Sequence, residues 1–130
     1  MSARRDVENV LGLLFDGLHH GDTDVLGRVF HPGAVYVTGT EGGGEGELLR
    51  LTMDEYFRVV SRREPPVERG EARRDRIVSV EFAGPVTALA RVESSMGGKR
   101  YRDFLTLVRA EGRWQIVSKV FHFETVEGED

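Results

Sequence analysis

Near the N-terminus, apolar residues recur at Val7, Val10, Leu11, Leu14, Phe15 and Leu18, the i, i+3, i+4, i+7 spacing of one helix face. Arg5, Glu8, Asn9, Asp16 and His20 lie opposite, so the first helix is amphipathic and packs on one side only. Gly21 suits its C-terminal cap, and Asp22 caps a short second helix over Thr23–Phe30 that Pro32 closes. The pattern then changes period. Ala34–Thr38 is rich in β-formers and predicts a strand, followed by an acidic, glycine-rich loop over Gly39–Glu47 and a short edge strand over Leu48–Leu51. Thr52 and Glu55 form a capping box for a third helix, whose buried face carries Met53, Tyr56, Phe57 and Val60 and which ends before Pro65-Pro66. Ile77–Phe82 and Val86–Met96 follow as strands, joined by Gly84-Pro85.

The alternation is strongest from Tyr101 to Phe123, where two apolar runs flank Ala110-Glu111-Gly112. A three-residue hairpin loop there pairs Arg109 with Arg113, Leu107 with Gln115, Leu105 with Val117, Asp103 with Lys119 and Tyr101 with Phe121. The other face then carries Phe104, Val108, Trp114, Ile116 and Val120. Both faces are apolar, so both need a cover. Helices bunched early and an antiparallel meander late give an α+β fold, a curved mixed or antiparallel sheet on three helices in the order α-α-β-(β)-α-β-β-β-β.

A chain of 130 residues is one domain by length, with a core over about 5–124 and an acidic tail over 125–130. The absence of cysteine excludes disulfides and thiolate chemistry, and the four histidines lack metal-ligand spacing, so no metal and no cofactor is expected. The net charge of −4 argues against nucleic acid, and six arginines between Arg62 and Arg76 are interleaved with acids, as in a solvated connection. Without a membrane-length apolar run or a signal-peptide core, a cytoplasmic location is expected. Gly39–Glu47 lacks a GK[ST] and carries three glutamates, so it is no phosphate cradle.

The passage Phe30-His31-Pro32, the block Asp103-Phe104-Leu105-Thr106-Leu107 and the run Gly112–Phe121 resemble the nuclear transport factor 2-like superfamily, and within it the SnoaL-like branch called putative lumazine-binding proteins. The resemblance spans about residues 5–124 and implies a cystatin-like cone with an internal pocket and frequent homodimerisation through the outer sheet face. Asp103 and Lys119 would then border a pocket lined by Phe15, Leu18, Tyr36, Phe57, Leu105, Val117 and Phe121. Phe104, Val108, Trp114, Ile116 and Val120 would form the dimer interface. Ketosteroid isomerase belongs to this superfamily, but its base position falls on Thr38 and its oxyanion tyrosine on Leu14, neither of which can do that work.

Asp103 and Lys119 are the leading site candidates, because a carboxylate and an ammonium among apolar neighbours have shifted protonation. The alternative is a structural cross-strand ion pair, in which case Lys119→Ala would unfold the protein rather than weaken an anionic ligand. His31 is a second candidate base, since histidine titrates near neutral pH. The resulting expectation is a small-ligand-binding cone domain whose partner is a small organic molecule. A cofactor-independent isomerase, cyclase or dehydratase of the polyketide-cyclase type, using Asp103 or His31, is the enzyme alternative. A non-catalytic dimerising module is the third.

Overall fold

The computed structural model describes residues 2–126. Three capped helices hold the early chain. The Ser2 hydroxyl accepts from the Arg5 amide at 3.0 Å and starts α1 (Ala3–His20), which Gly21 ends with a φ of 65°. Asp22 accepts from Asp24 and Val25 to start α2 (Thr23–Val29), and the expected Thr52–Glu55 capping box starts α3 (Met53–Arg62). Among the described residues, no helix is long and apolar enough to cross a membrane. The strands are β1 (Phe30–Glu41), β2 (Gly44–Leu51), β3 (Arg76–Phe82), β4 (Thr87–Met96), β5 (Lys99–Ala110) and β6 (Arg113–Thr125). They form one sheet in the order β2-β1-β6-β5-β4-β3, in which the β1–β6 pair is parallel and all others are antiparallel.

Register breaks interrupt four of the five ladders, and each such bulge bends its strand. The sheet therefore curls over the helices without closing, leaving β2 and β3 as edges. Its inner face meets Val7, Leu11 and Leu14 of α1, Leu26 of α2 and Val60 of α3, all buried. The early meeting of chain and sheet explains one difference from expectation. Phe30 begins β1 rather than ending α2, because it pairs with Ile116, and Pro32 sits in the irregular stretch between that pair and Val35.

Gly39–Glu47 is not the loop its composition predicts. Only Gly42 and Gly43 turn, with φ of 59° and 85°, and the flanking residues pair as β1 and β2. Glycines there supply the positive φ of a tight hairpin, and the extended β2 gains its backbone bonds from β1. Thr125, expected to begin the tail, instead extends β6 with Glu124 opposite Lys99 and Arg100, where charges are complementary across Arg100–Glu124. Residues 127–130 of that tail lie outside the described residues. The arginine-rich connection is largely solvated, as expected, with Arg73 bonded to Asp16 at 2.7 Å and Arg69 to Glu71.

The β5–β6 hairpin corrects the register. Its turn has two residues, Glu111 and Gly112, both at positive φ (53° and 81°), so Ala110 pairs with Arg113 and Arg109 with Trp114. This is the type I′ geometry that matches strand twist, and it shifts every expected pair. Leu107 then faces Ile116, Val117 bulges out unpaired, and Leu105 faces Lys119. Trp114 and Ile116, expected at a dimer interface, are therefore buried in the core at 6% and 0% exposure, while Phe104 and Val120 remain outside. Glutamate tolerates the left-handed region poorly. Glu111→Asn is expected to raise stability by about 1 kcal/mol, read as a higher urea midpoint with an unchanged slope; no gain would mean the turn carries no strain.

Candidate functional site

Two strands bring the charged pair together. On β5, Asp103, Leu105 and Leu107 are the inward alternates, and beyond the Val117 bulge Lys119 and Phe121 take the inward positions of β6. Asp103 is registered with Phe121, and Leu105 with Lys119, so the two charges are diagonal neighbours rather than a direct cross-strand pair. Long side chains span that diagonal. Lys119 Nζ lies 3.6 Å from Asp103 Oδ2 and donates to Tyr56 Oη at 3.4 Å.

The rest of the ammonium is wrapped in rings. Tyr36, the β1 neighbour of Lys119, has its ring 5.6 Å from Nζ, with Tyr56 and Phe121 each at 5.3 Å. Ring quadrupoles attract a desolvated cation, so this box replaces part of the lost hydration. Lys119 and Asp103 are 4% and 5% exposed. Burial drives the Asp103 carboxyl above its usual range, and Lys119 only partly draws it back. Burial pushes the Lys119 ammonium the other way, but Tyr56, Asp103 and Tyr36 together hold it above an ordinary lysine, so it stays charged. Burial also pushes the Tyr36 phenol up to about 12.

Among the described residues, two polar atoms around this cluster are left over. Asp103 Oδ1 is buried without a hydrogen-bond partner, and so is Arg63 Nη2. Arg63 makes itself felt at Tyr36 and at Tyr101, whose burial-raised phenols it draws down together with Lys119. Tyr101 in turn stands 6.0 Å from Phe121 and 5.9 Å from Phe123, ring to ring. A carboxyl above its usual range, a fixed ammonium and a phenol hydroxyl can together polarise a carbonyl and move a proton next to it.

Other expected site residues fall elsewhere. His31 is exposed, and its Nδ1 accepts from the Gly33 amide at 2.9 Å, so the ring closes a local turn at the surface and faces no cluster. Phe15 and Leu18 underlie a recess of about 20 Å³ that also touches Ala72 and Ser94, room for one water rather than an organic ligand. Phe57 packs on Phe30 and Tyr56. Leu105 is fully buried beside Lys119, and Val117 is half-buried at its bulge. Thr38 is buried and donates to the Phe121 carbonyl at 2.6 Å, and Leu14 is core, so neither position offers an acid or an oxyanion donor.

Arg63 escaped the sequence reading because it sits among the arginines of the solvated connection. The signal was present, since Met53, Tyr56, Val60 and Arg63 continue one helical stripe.

The family model described as "Putative lumazine-binding" matches residues 2–122. The chain belongs to this family. A member of the NTF2-like cone fold was expected from the terminal blocks, and solved structures bear this out. An NTF-2 like protein of unknown function from Silicibacter pomeroyi DSS-3 is 27% identical, with a TM-score of 0.78 over 95% of this chain and 100% of that one. An NTF2-like protein of unknown function from Shewanella baltica OS155 shares the fold at a TM-score of 0.79 and 20% identity, over 95% and 98% of the two chains. Among characterised relatives, the aldolase FrzH of Cladobotryum sp. is 33% identical over 110 residues, 82% of this chain and 80% of that protein. Within the lumazine-binding family, this chain thus presents a curved-sheet cone with one buried charged cluster near its aromatic rim.

Proposed function

We propose that the protein binds a small organic molecule at the Asp103–Lys119 cluster of its cone. The observation that carries this reading is the unsatisfied, buried Asp103 Oδ1 beside a caged ammonium. An unpaired buried carboxylate oxygen is costly, and a ligand N–H or O–H donor brought there supplies the missing partner. The family description and the cone fold point the same way.

The aldolase relative favours a second reading at the same residues, proton transfer next to a carbonyl. Asp103 would take the proton from the adjacent carbon, the electron pair would move onto the carbonyl oxygen, and the Lys119 ammonium with the Tyr56 hydroxyl would hold that developing charge. This keeps the expected enzyme alternative and, of its two expected bases, uses Asp103 rather than the exposed His31. A raised carboxyl is the better base near neutral pH.

We also propose a homodimer through the outer sheet face. Phe104 and Val120 are 52% and 44% exposed there, and with Val78 and Arg91 they border a groove of about 420 Å³. Apolar side chains in a row on a sheet face are most simply covered by a second copy.

Native mass spectrometry of freshly purified protein tests both proposals in one spectrum. A dimer carrying an extra small-molecule mass is the expected result, and Phe104→Glu is expected to shift the population to monomer with the bound mass retained. A wild-type monomer at micromolar concentration would remove the dimer, and a bare spectrum that stays bare after incubation with carbonyl compounds would remove the ligand site.

A further inference from the structure

The second leftover atom narrows the ligand. Arg63 presents five N–H donors, and its Nη2 is shut from water with no acceptor in reach. It is the C-cap of α3, at the position that continues the stripe of Met53, Tyr56 and Val60, seven residues beyond the tyrosine that bonds Lys119. Its charge is felt by Tyr36 and Tyr101, the same two phenols that feel Lys119. Two cations therefore border this rim. Among the described residues, Asp103 is the carboxylate these contacts place beside Lys119, and its Oδ2 is committed to that ammonium. The rim lacks one negative charge.

We propose that Arg63 holds the carboxylate of an organic-acid ligand whose carbonyl accepts from Lys119 beside Asp103. This rests on the reading of that cluster as a ligand site. A planar guanidinium fork matches a carboxylate, and a single unneutralised cation matches one negative charge better than the two of a phosphate. The body of the ligand is apolar or aromatic, since Tyr36, Tyr101, Phe121 and Phe123 form a run of contacting rings that begins around Lys119.

Benzoate, its uncharged counterpart benzamide, and inorganic phosphate are suitable probes, titrated into the full chain while the ring resonances of Tyr36, Tyr101 and Phe121 are followed by NMR. Benzoate is expected to bind about tenfold more tightly than benzamide, with that preference lost in Arg63→Gln and partly restored in Arg63→Lys. Ligand-free Arg63→Met is expected to be at least as stable as the wild type, because it removes a donor that nothing accepts; a clear loss of stability would assign Arg63 a structural role and overturn the proposal. Equal binding of benzoate and benzamide at those rings would overturn the carboxylate assignment while leaving the ligand site standing. Phosphate displacing benzoate at lower concentration would overturn it in favour of a phosphorylated ligand. Shifts from none of the three probes would remove the site itself.

Discussion

Lys119→Ala is expected to lower stability by about 3–5 kcal/mol, the cost of leaving one partner of a buried ion pair alone. Asp103 would keep its 5% exposure and lose the ammonium 3.6 Å away, while the box of Tyr36, Tyr56 and Phe121 would enclose a void. A pair at an open pocket edge would behave differently, since exposed pairs contribute about 1 kcal/mol or less. The double substitution Asp103→Leu with Lys119→Met separates the contributions. It removes both charges and refills the space, so most of the loss is expected to return, because a packed apolar pair often matches a buried ion pair. Such a recovered fold with no ligand binding would mean that the charges are kept for function. Urea denaturation of the two variants reads both effects. A single variant within about 1 kcal/mol of wild type would show that the cluster is wet.

The second large effect lies at Trp114. Its indole is 6% exposed and meets Phe82 edge-on at 5.9 Å between ring centres, with Ile116 two residues along the same inward face. Trp114→Ala is expected to cost about 3–5 kcal/mol, as large-to-small changes of core aromatics do. The number of subunits per assembly should not change with it. An interface tryptophan would give the opposite result, a shifted mass with a stable monomer, and would return Trp114 to the outer face. Phe104→Glu supplies the contrast, because its ring stands outside the core and its loss should leave the monomer's own stability within about 0.5 kcal/mol.

These two sites show where the sequence was legible. Helix starts were readable because caps act through adjacent residues: Asp22 and the Thr52–Glu55 box bond amides within a few positions. The inward face of β5 was also readable, since alternation through Asp103, Leu105 and Leu107 is local. Register across the hairpin was not. Whether Glu111-Gly112 or Ala110-Glu111-Gly112 makes the turn depends on which strand pairing buries more, and Val117 has no residue-type signature as a bulge. Those two features decide the fate of Trp114 and Ile116. The site divides in the same way. Asp103 and Lys119 stood out as charges among apolar neighbours, and they do meet; the stripe ending in Arg63 was also in the sequence, but its influence on the phenols of Tyr36 and Tyr101 emerges only once α3 is placed against β1. Likewise, the exposure of His31 follows from its own Gly33 turn, which neutral-pH titration chemistry does not foretell.

Val117 joins two segments of β6 whose hydrophobic alternation runs in opposite phase. Trp114 and Ile116 occupy even positions and Lys119 and Phe121 odd ones, yet all four face inward because one residue between them goes unpaired. With these residues at their present positions, an unbulged strand would force a choice between a tryptophan-packed base and a charged cage at the rim. The extra residue lets one strand carry both. It also makes this point of β6 a natural place for the lineage to gain or lose a residue. Shortening the chain there would cancel the phase change and leave every inward side chain inward, with curvature the property surrendered. The shape of the cone and the composition of its interior can therefore vary separately, the first through strand length and the second by substitution.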